Sequence, residues 1–527
     1  MIMIIDEAFF GFARAGTMDG NTPYPCILDT TDPEQLKLTD GSLVILGQKA
    51  RPFREKETDE TADFRNPVEW LSEDIVIIPD GAQLIQRPRK LIEKLSYVRN
   101  KHGMSKLIYL QGIADPYLIP ILVYAGVSIF DDSTIRMESI KGIKYTIFGR
   151  SKADSAEITD NIDFIRKLIK AVSRSIHSGS IREIVEKYQI SSKALEIMRL
   201  LDKDYEEECE KFFPRRTPYI KANSLESLRR PDLTRYREYV SNQYKKPSGK
   251  NVAVLMPCSA RKPYSTSKSH KRIIEAIGKM RNQVHELIVT SPVGLVPREL
   301  EQTYPASSYD IPVIGEWYDD EKSMISNIIG AFFKNNSYDK VVAFVDKDLE
   351  FIMDSLPEGS ILVSWDRSDE SLSRLRETVS SIISEHPSSV KTNYKMERYT
   401  KIAEYQFGEW IAKYLEGCKI VRNYNSEMVV KDGKPVLIFN EMLGKFTINK
   451  QSAPWFIENG KFLVEIDDFK PTANIYAVGV LSTTPDVRQE DEVVLHHKGE
   501  LKGVGIAKMP SRAMIDLKKG VAVKVRN

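Results

Sequence analysis

A chain of 527 residues is too long for one hydrophobic core and, at ~100–200 residues per domain, predicts three or four domains. Its 42% apolar and 28% charged residues suit a globular protein, and its net charge of +2 neither requires nor excludes a nucleic-acid partner. The longest apolar run, residues 118–130, falls short of the ~20 that a membrane helix needs, and the early Asp6 and Glu7 argue against a signal peptide, so a cytoplasmic protein with no membrane partner is expected.

Residues 1–200 alternate short apolar runs with amphipathic stretches. "SLVILG", "DIVIIPDG", "KLIYLQG" and "GVSIFDD" predict buried strands that end in polar or glycine-containing loops. "RPRKLIEKLSYVRNKHG" and "NIDFIRKLIKAVSRSIHSG" predict intervening helices, each closed by glycine. This rhythm argues for a parallel α/β layer or a barrel. Residues 201–250 then read as a helical, basic linker. Within them and just after residue 210, eleven Lys/Arg face only Glu226, Asp232 and Glu238, interleaved with Phe212, Phe213, Tyr219, Tyr236, Tyr239 and Tyr244. Cations meet phosphates and rings stack on bases, so this segment is either an RNA surface or a solvated linker.

A second α/β unit is expected over residues 251–385. There "VAVLM", "ELIVT", "VVAFVD" and "ILVSW" alternate with helical patterns such as "SHKRIIEAIGKMRN" and "EKSMISNIIGAFFKN". Residues 386–448 pass from a helix, "YQFGEWIAKYL", to antiparallel strands around Asp432-Gly433, a small α+β domain. Residues 449–527 are dense in short strands and glycine turns, which predicts a small β-barrel. Its residues 501–527 carry seven Lys/Arg against Asp516 alone, a second candidate RNA surface. The fold class is multidomain α/β.

Cys26, Cys209, Cys258 and Cys418 are the only cysteines, and no two are close enough for a local zinc or redox motif, so no metal is expected. Chemistry concentrates at "VAVLMPCSARKPYSTSKSH", residues 252–270. With "VAVLM" as a buried strand, Pro257-Cys258 sits at its C-terminal end, where open α/β sheets bind ligands. The helix that follows, with Ile273, Ile274, Ile277 and Met280 on one face, turns free N–H groups toward the loop. That dipole, with Arg261, Lys262 and Lys268, can lower a thiol pKa, and a thiolate attacks carbonyls, imines and nitriles. His270 would then carry a proton, Tyr264 donate a hydrogen bond, and Lys262 hold a carboxylate or phosphate. The alternative is a buried structural cysteine followed by a basic loop.

The loop is similar, position for position, to the signature of the archaeosine synthases. Pro257, Cys258, Lys262, Pro263, Tyr264, Ser267 and His270 match Pro-Cys, three residues, Lys-Pro-Tyr, two residues, Ser, two residues, His. Residues 291–317, which include Glu316, also look like that family. "ARAGTMDGNTP" and "LVYAGVSIFDDS" resemble tRNA-guanine transglycosylases, with Asp131 in the place of their nucleophilic aspartate. "YQFGEWIAKYL" resembles their tRNA-binding accessory domain, and residues 491–527 resemble a PUA domain, a small RNA-binding β-barrel. The transglycosylase zinc cluster is missing, "PDGAQ" is only a loose echo of the segment with their second aspartate, and the barrel region spans roughly 190 residues against ~250 for a full barrel. The resemblance therefore implies a degenerate barrel in which Asp131 is a relic.

It further implies addition of an amine to the nitrile of 7-cyano-7-deazaguanine in the tRNA D-loop, on the path to archaeosine. The implied donor is free lysine, with glutamine or ammonia as alternatives, and the implied partner is a radical-SAM enzyme that cleaves the lysine adduct. No nicotinamide, flavin or nucleotide fingerprint is present, so no cofactor is expected. Cys258 would form a thioimidate, Tyr264 or His270 would protonate its nitrogen, and His270 would deprotonate the amine. Lys262 would hold the donor carboxylate, Ser267 would position a group, and Pro257, Arg261, Pro263 and Glu316 would line the substrate. Base exchange through Asp131 and a non-catalytic tRNA-binding subunit are the alternatives. Monomer and homodimer are both left open.

Overall fold

Ile75–Ile78, Leu107–Leu110 and Val127–Asp131 are buried at every position, as near-continuous apolar runs require of strands covered on both faces. The computed structural model describes residues 3–39, 42–52, 69–154, 157–312, 316–387, 393–423, 426–517 and 519–526. The chain forms two units, Met1–Pro218 with Lys461–Asn527, and Tyr219–Gly460. No described helix is long and apolar enough to cross a membrane.

In the first unit these three strands and Cys26–Leu28 run parallel. The sheet then continues antiparallel through Trp70–Leu71, Gln48–Pro52, Ser42–Ile45 and Leu36–Thr39. "SLVILG" therefore joins a hairpin, not the parallel layer expected of it. The cause is local. Leu46 and Gly47 take φ of 48° and 77°, and a two-residue turn of that kind returns the chain alongside itself. Among the described residues the outer strands Cys26–Leu28 and Leu36–Thr39 do not pair, so the sheet stays open. Helices Pro88–His102 and Ile158–His177 cover it, burying Leu91, Ile92, Leu95 and Val98 from one and Ile165, Leu168, Ile169 and Val172 from the other.

The C-terminal part of this unit is a six-stranded sheet that includes Leu463–Ile466, Glu492–His497, Glu500–Ala507 and Val521–Arg526. Its Val464, Val493, Leu495 and Val523 share one core with Phe9, Phe10, Val76 and Leu122.

The second unit is built on five strands: β1 (Val252–Pro257), β2 (Val284–Thr290), β3 (Gly294–Pro297), β4 (Lys340–Val345) and β5 (Ile361–Ser364). Their order is β3-β2-β1-β4-β5, parallel except for β3. Its main helices are α1 (Lys268–Ile277), α2 (Asp319–Asn335) and α3 (Asp369–Glu385). The chain leaves β1 for β2 on one side and later adds β4 on the other, so the β1/β4 crevice is the sheet's topological switch point. Helix α1 ends at Ile277 because Gly278 takes φ 55°, and Met280, expected on its apolar face, falls in the 3-10 turn beyond. A four-stranded antiparallel sheet, Lys419–Asn423 to Lys445–Ile448, turns at Asp432-Gly433 as expected.

The basic segment before β1 is not a surface of stacking rings. Phe212, Phe213, Tyr236, Tyr239 and Tyr244 are buried, and only Tyr219 is exposed. Tyr236 and Tyr239 pack edge-on against Tyr405, with centroids 5.6 and 5.0 Å away. Aromatic rings at these positions serve the core, because a buried ring contributes more apolar area than any other side chain.

Candidate active site

Cys258 follows the last residue of β1. Parallel pairing places Pro257 opposite Val289 of β2 and Leu255 opposite Ala343 of β4. Continued to the strand ends, that register sets Cys258 level with Thr290 on one side and Asp346 on the other. The loop beyond Cys258 is held by its own hydroxyls: Ser259 donates to the Arg261 carbonyl at 2.9 Å, and Thr266 to the Pro263 carbonyl at 2.8 Å. The Lys262-Pro263 peptide is cis. Ser267 caps α1, its Oγ accepting the His270 N–H at 3.2 Å. An N-cap serine has this duty to satisfy before any other, so Ser267 shapes the loop.

On the loop's inner side runs a chain of hydroxyls. Tyr264 OH meets Tyr309 OH at 2.8 Å, and Tyr309 OH meets Thr290 Oγ1 at 2.6 Å. The Lys262 ammonium lies 3.8 Å from the centre of the Tyr309 ring, a cation–π contact that fixes the lysine beside the thiol. Burial pushes the Cys258 thiol up; a hydrogen bond from Thr290 and the Lys262 charge pull against it, while Asp346 adds to the rise. The net displacement is upward, so the resting group is a thiol. Burial lowers the Lys262 ammonium, and Cys258 and Asp310 oppose it. Tyr264 is fully buried, and burial, Tyr309 and Cys258 hold its hydroxyl well above the usual phenol range.

Beneath the loop lies a charged layer that the sequence did not suggest. Arg298 Nε donates to Glu286 at 2.7 Å, its Nη1 to Glu301 at 2.9 Å, and its Nη2 to His270 Nδ1 at 3.0 Å. Glu301 also accepts the Ser265 N–H at 2.9 Å, tying the loop to this layer. His270 is fully buried. Since Nδ1 accepts from Arg298, the proton sits on Nε2, which is buried without a hydrogen-bond partner. Burial and then the Arg298 charge push the imidazole down to about 3. The expectation that His270 is the general base is therefore corrected. Its lone pair is engaged, and a cation there would face Arg298 in a dry interior.

The structure thus brings Cys258, Lys262 and Tyr264 together, with Ser267 and His270 behind them as supports. Pro257 ends the strand, Pro263 opens the 3-10 turn Tyr264–Thr266, and Arg261 is exposed on the loop. Glu316 is exposed ahead of α2, and among the described residues no hydrogen bond or ion pair joins it to this cluster. Asp131 belongs to the first unit and is buried. Thr290, Arg298, Glu301, Tyr309 and Asp346 are site residues that the sequence reading missed. One signal was available for Thr290 and Asp346: both end apolar strand runs, as Cys258 does.

Residues 233–379 match a domain of unknown function (DUF5591), and residues 468–527 match the PUA domain. The chain is 49% identical to archaeosine synthase subunit alpha of Thermoplasma acidophilum, an alignment covering 99% of this chain and 100% of the relative. It is 30% identical to the protein of the same name from Methanosarcina acetivorans, covering 89% and 83%. It is 23% identical to a tRNA-guanine(15) transglycosylase of Methanothermobacter thermautotrophicus, covering 84% and 69%.

Proposed function

Because this chain belongs to the archaeosine synthase family, we propose that it is a tRNA-modifying enzyme whose Cys258 carries the nitrile of 7-cyano-7-deazaguanine toward the amidine of archaeosine. The donor is free lysine, and a radical-SAM partner enzyme acts on the adduct. The residues 1–200 sheet is a degenerate transglycosylase layer, and the PUA domain contributes tRNA affinity. The observation that carries the reading is the place of Cys258, at the switch point of the sheet and beside both Lys262 and Thr290.

The chemistry follows from those neighbours. The thiol adds across the nitrile, its sulfur bonding to carbon and its proton going to nitrogen, which gives a thioimidate. Lys262 and Thr290 stabilise the thiolate as it forms, and the Tyr264–Tyr309–Thr290 hydroxyls hold Thr290 in place. The lysine amine then displaces the thiol to leave an amidine. Lys262 is also the cation available to the donor's carboxylate. Base exchange at Asp131 receives no support, since four donors already occupy that carboxylate.

The test is mass spectrometry of the nucleoside formed when nitrile-bearing tRNA is incubated with lysine, glutamine or ammonium separately. A lysine adduct is expected, and direct amidine formation from glutamine or ammonium overturns the donor. Cys258→Ala should abolish the product and leave tRNA affinity within about threefold, because the thiol makes bonds and not binding energy. Turnover by that variant overturns the role of the thiol.

A further inference from the structure

Asp346 ends β4 as Cys258 ends β1. The two parallel strands pair from Val252 opposite Lys340 to Leu255 opposite Ala343, and three more residues bring Cys258 and Asp346 level across the switch-point crevice. Asp346 precedes the 3-10 helix Lys347–Ser355, whose Asp348 and Leu349 N–H groups favour its carboxylate without completing a cap. Its Oδ1 is buried and has no hydrogen-bond partner. A carboxylate oxygen left so costs about 1–3 kcal/mol in a folded protein, so this oxygen is open to a donor from outside the chain, whether water or a ligand.

The charges around it narrow the ligand. Cys258 faces it from β1, Asp348 from its own helix, and Arg367 from the segment after β5. Arg367 is exposed and makes no ion pair with it among the described residues. Burial and then Asp348 hold the Asp346 carboxyl above the ordinary range, while nearby backbone N–H groups and Arg367 oppose that rise. A raised carboxyl next to a nucleophile suits proton exchange with a cationic partner.

We propose that Asp346 receives the incoming amine as its ammonium and takes a proton from it as the amine attacks the carbon held by Cys258. The inference rests on the reading of Cys258 as the nucleophile. The balance closes without a co-reactant. The ammonium gives one proton to the Asp346 carboxylate, and the freed amine forms a C–N bond to the thioimidate carbon. The C–S bond breaks with its electron pair on sulfur, leaving an amidinium and a thiolate. The Asp346 proton then returns to the thiolate. Net, a nitrile and an ammonium give an amidinium.

Asp346→Asn removes the charge with little change in shape, and it has two separable readouts. Lysine transfer should fall about 100-fold or more, the range for a lost general base. Reaction with hydroxylamine, which is largely unprotonated at neutral pH, should stay within about tenfold of the unsubstituted enzyme. Alkylation of Cys258 by iodoacetamide, followed on its own peptide and without tRNA, should become faster at pH 7, with its pH profile moved downward, because a neighbouring anion no longer opposes the thiolate. Asp346→Ser gives the same readouts should Asn disturb the turn. An unchanged alkylation profile overturns the juxtaposition, and equal loss with both amines overturns the proton role. Failure of the underlying reaction is read separately, as turnover by Cys258→Ala.

Discussion

Two aspartates occupy the same kind of position in the two units, and only one is free to act. Asp131 ends the strand Val127–Asp131, and Asp346 follows β4; both sit where a buried parallel strand gives way to a loop. The Asp131 Oδ2 accepts from Tyr109 OH at 2.9 Å and the Gly112 N–H at 2.6 Å, and its Oδ1 accepts from the Ser133 N–H at 3.0 Å and from the Ser133 hydroxyl. Four donors fill a carboxylate's acceptor sites. Asp346 has an oxygen with none. A strand end marks where chemistry is possible, and the supply of local donors decides whether the residue is spent on the fold or left for a ligand.

The comparison is tested most severely at Asp131. Asp131→Ala strands the Tyr109 and Ser133 hydroxyls and the Gly112 and Ser133 N–H groups, so urea unfolding should show the first unit weaker by roughly 3 kcal/mol. Activity per folded molecule should be kept. A stable but inactive variant would place Asp131 in the chemistry.

His270 stands on the spent side, and its effect is next in size. Its imidazole is held near 3 when folded against 6.5 ordinarily, so between those values the unfolded chain binds a proton that the folded chain refuses. Stability from this group is complete above pH 6.5 and is lost as pH falls toward 3, by up to ~1.4 kcal/mol per pH unit. His270→Gln should lack this share, seen as a shallower fall of Tm between pH 6.5 and 4. An identical slope would mean that His270 is free to protonate.

The smallest effect concerns cations of the C-terminal sheet. Lys502, Lys508, Arg512 and Arg526 are paired with Asp468, Glu490, Asp516 and Glu492, whereas Lys519 and Lys524 form no ion pair among the described residues. The double variant Lys519→Glu, Lys524→Glu should weaken tRNA binding and reduce the slope of log affinity against log salt by about 2. An unchanged slope would remove both from the phosphate contacts.

Much of this arrangement was legible as pattern. Apolar runs marked the buried strands, and the spacing after Pro257 marked the loop. What stayed hidden was partnership across distance. Arg298 reaches back to His270, and Thr290 reaches forward to Tyr309, and neither pairing leaves a mark at short range. Burial of Tyr236 and Tyr239 was hidden likewise, since a tyrosine beside arginines reads alike whether it meets a base or Tyr405. Asp346 closed a run already recognised as a strand, "VVAFVD", and the rule that singled out Cys258 applied to it equally.

The division of the chain also bears on its synthesis. Tyr219–Gly460 is one uninterrupted stretch, and every strand of its sheet is available once that stretch has left the ribosome. The first unit is different, because Phe9 and Phe10 share a core with Val493 and Val523. Its opening segment must wait, with apolar surface uncovered, through the translation of the whole intervening stretch. The nascent chain is thus expected to mature from the middle outward, and the interval before Val523 emerges is when it most needs a chaperone.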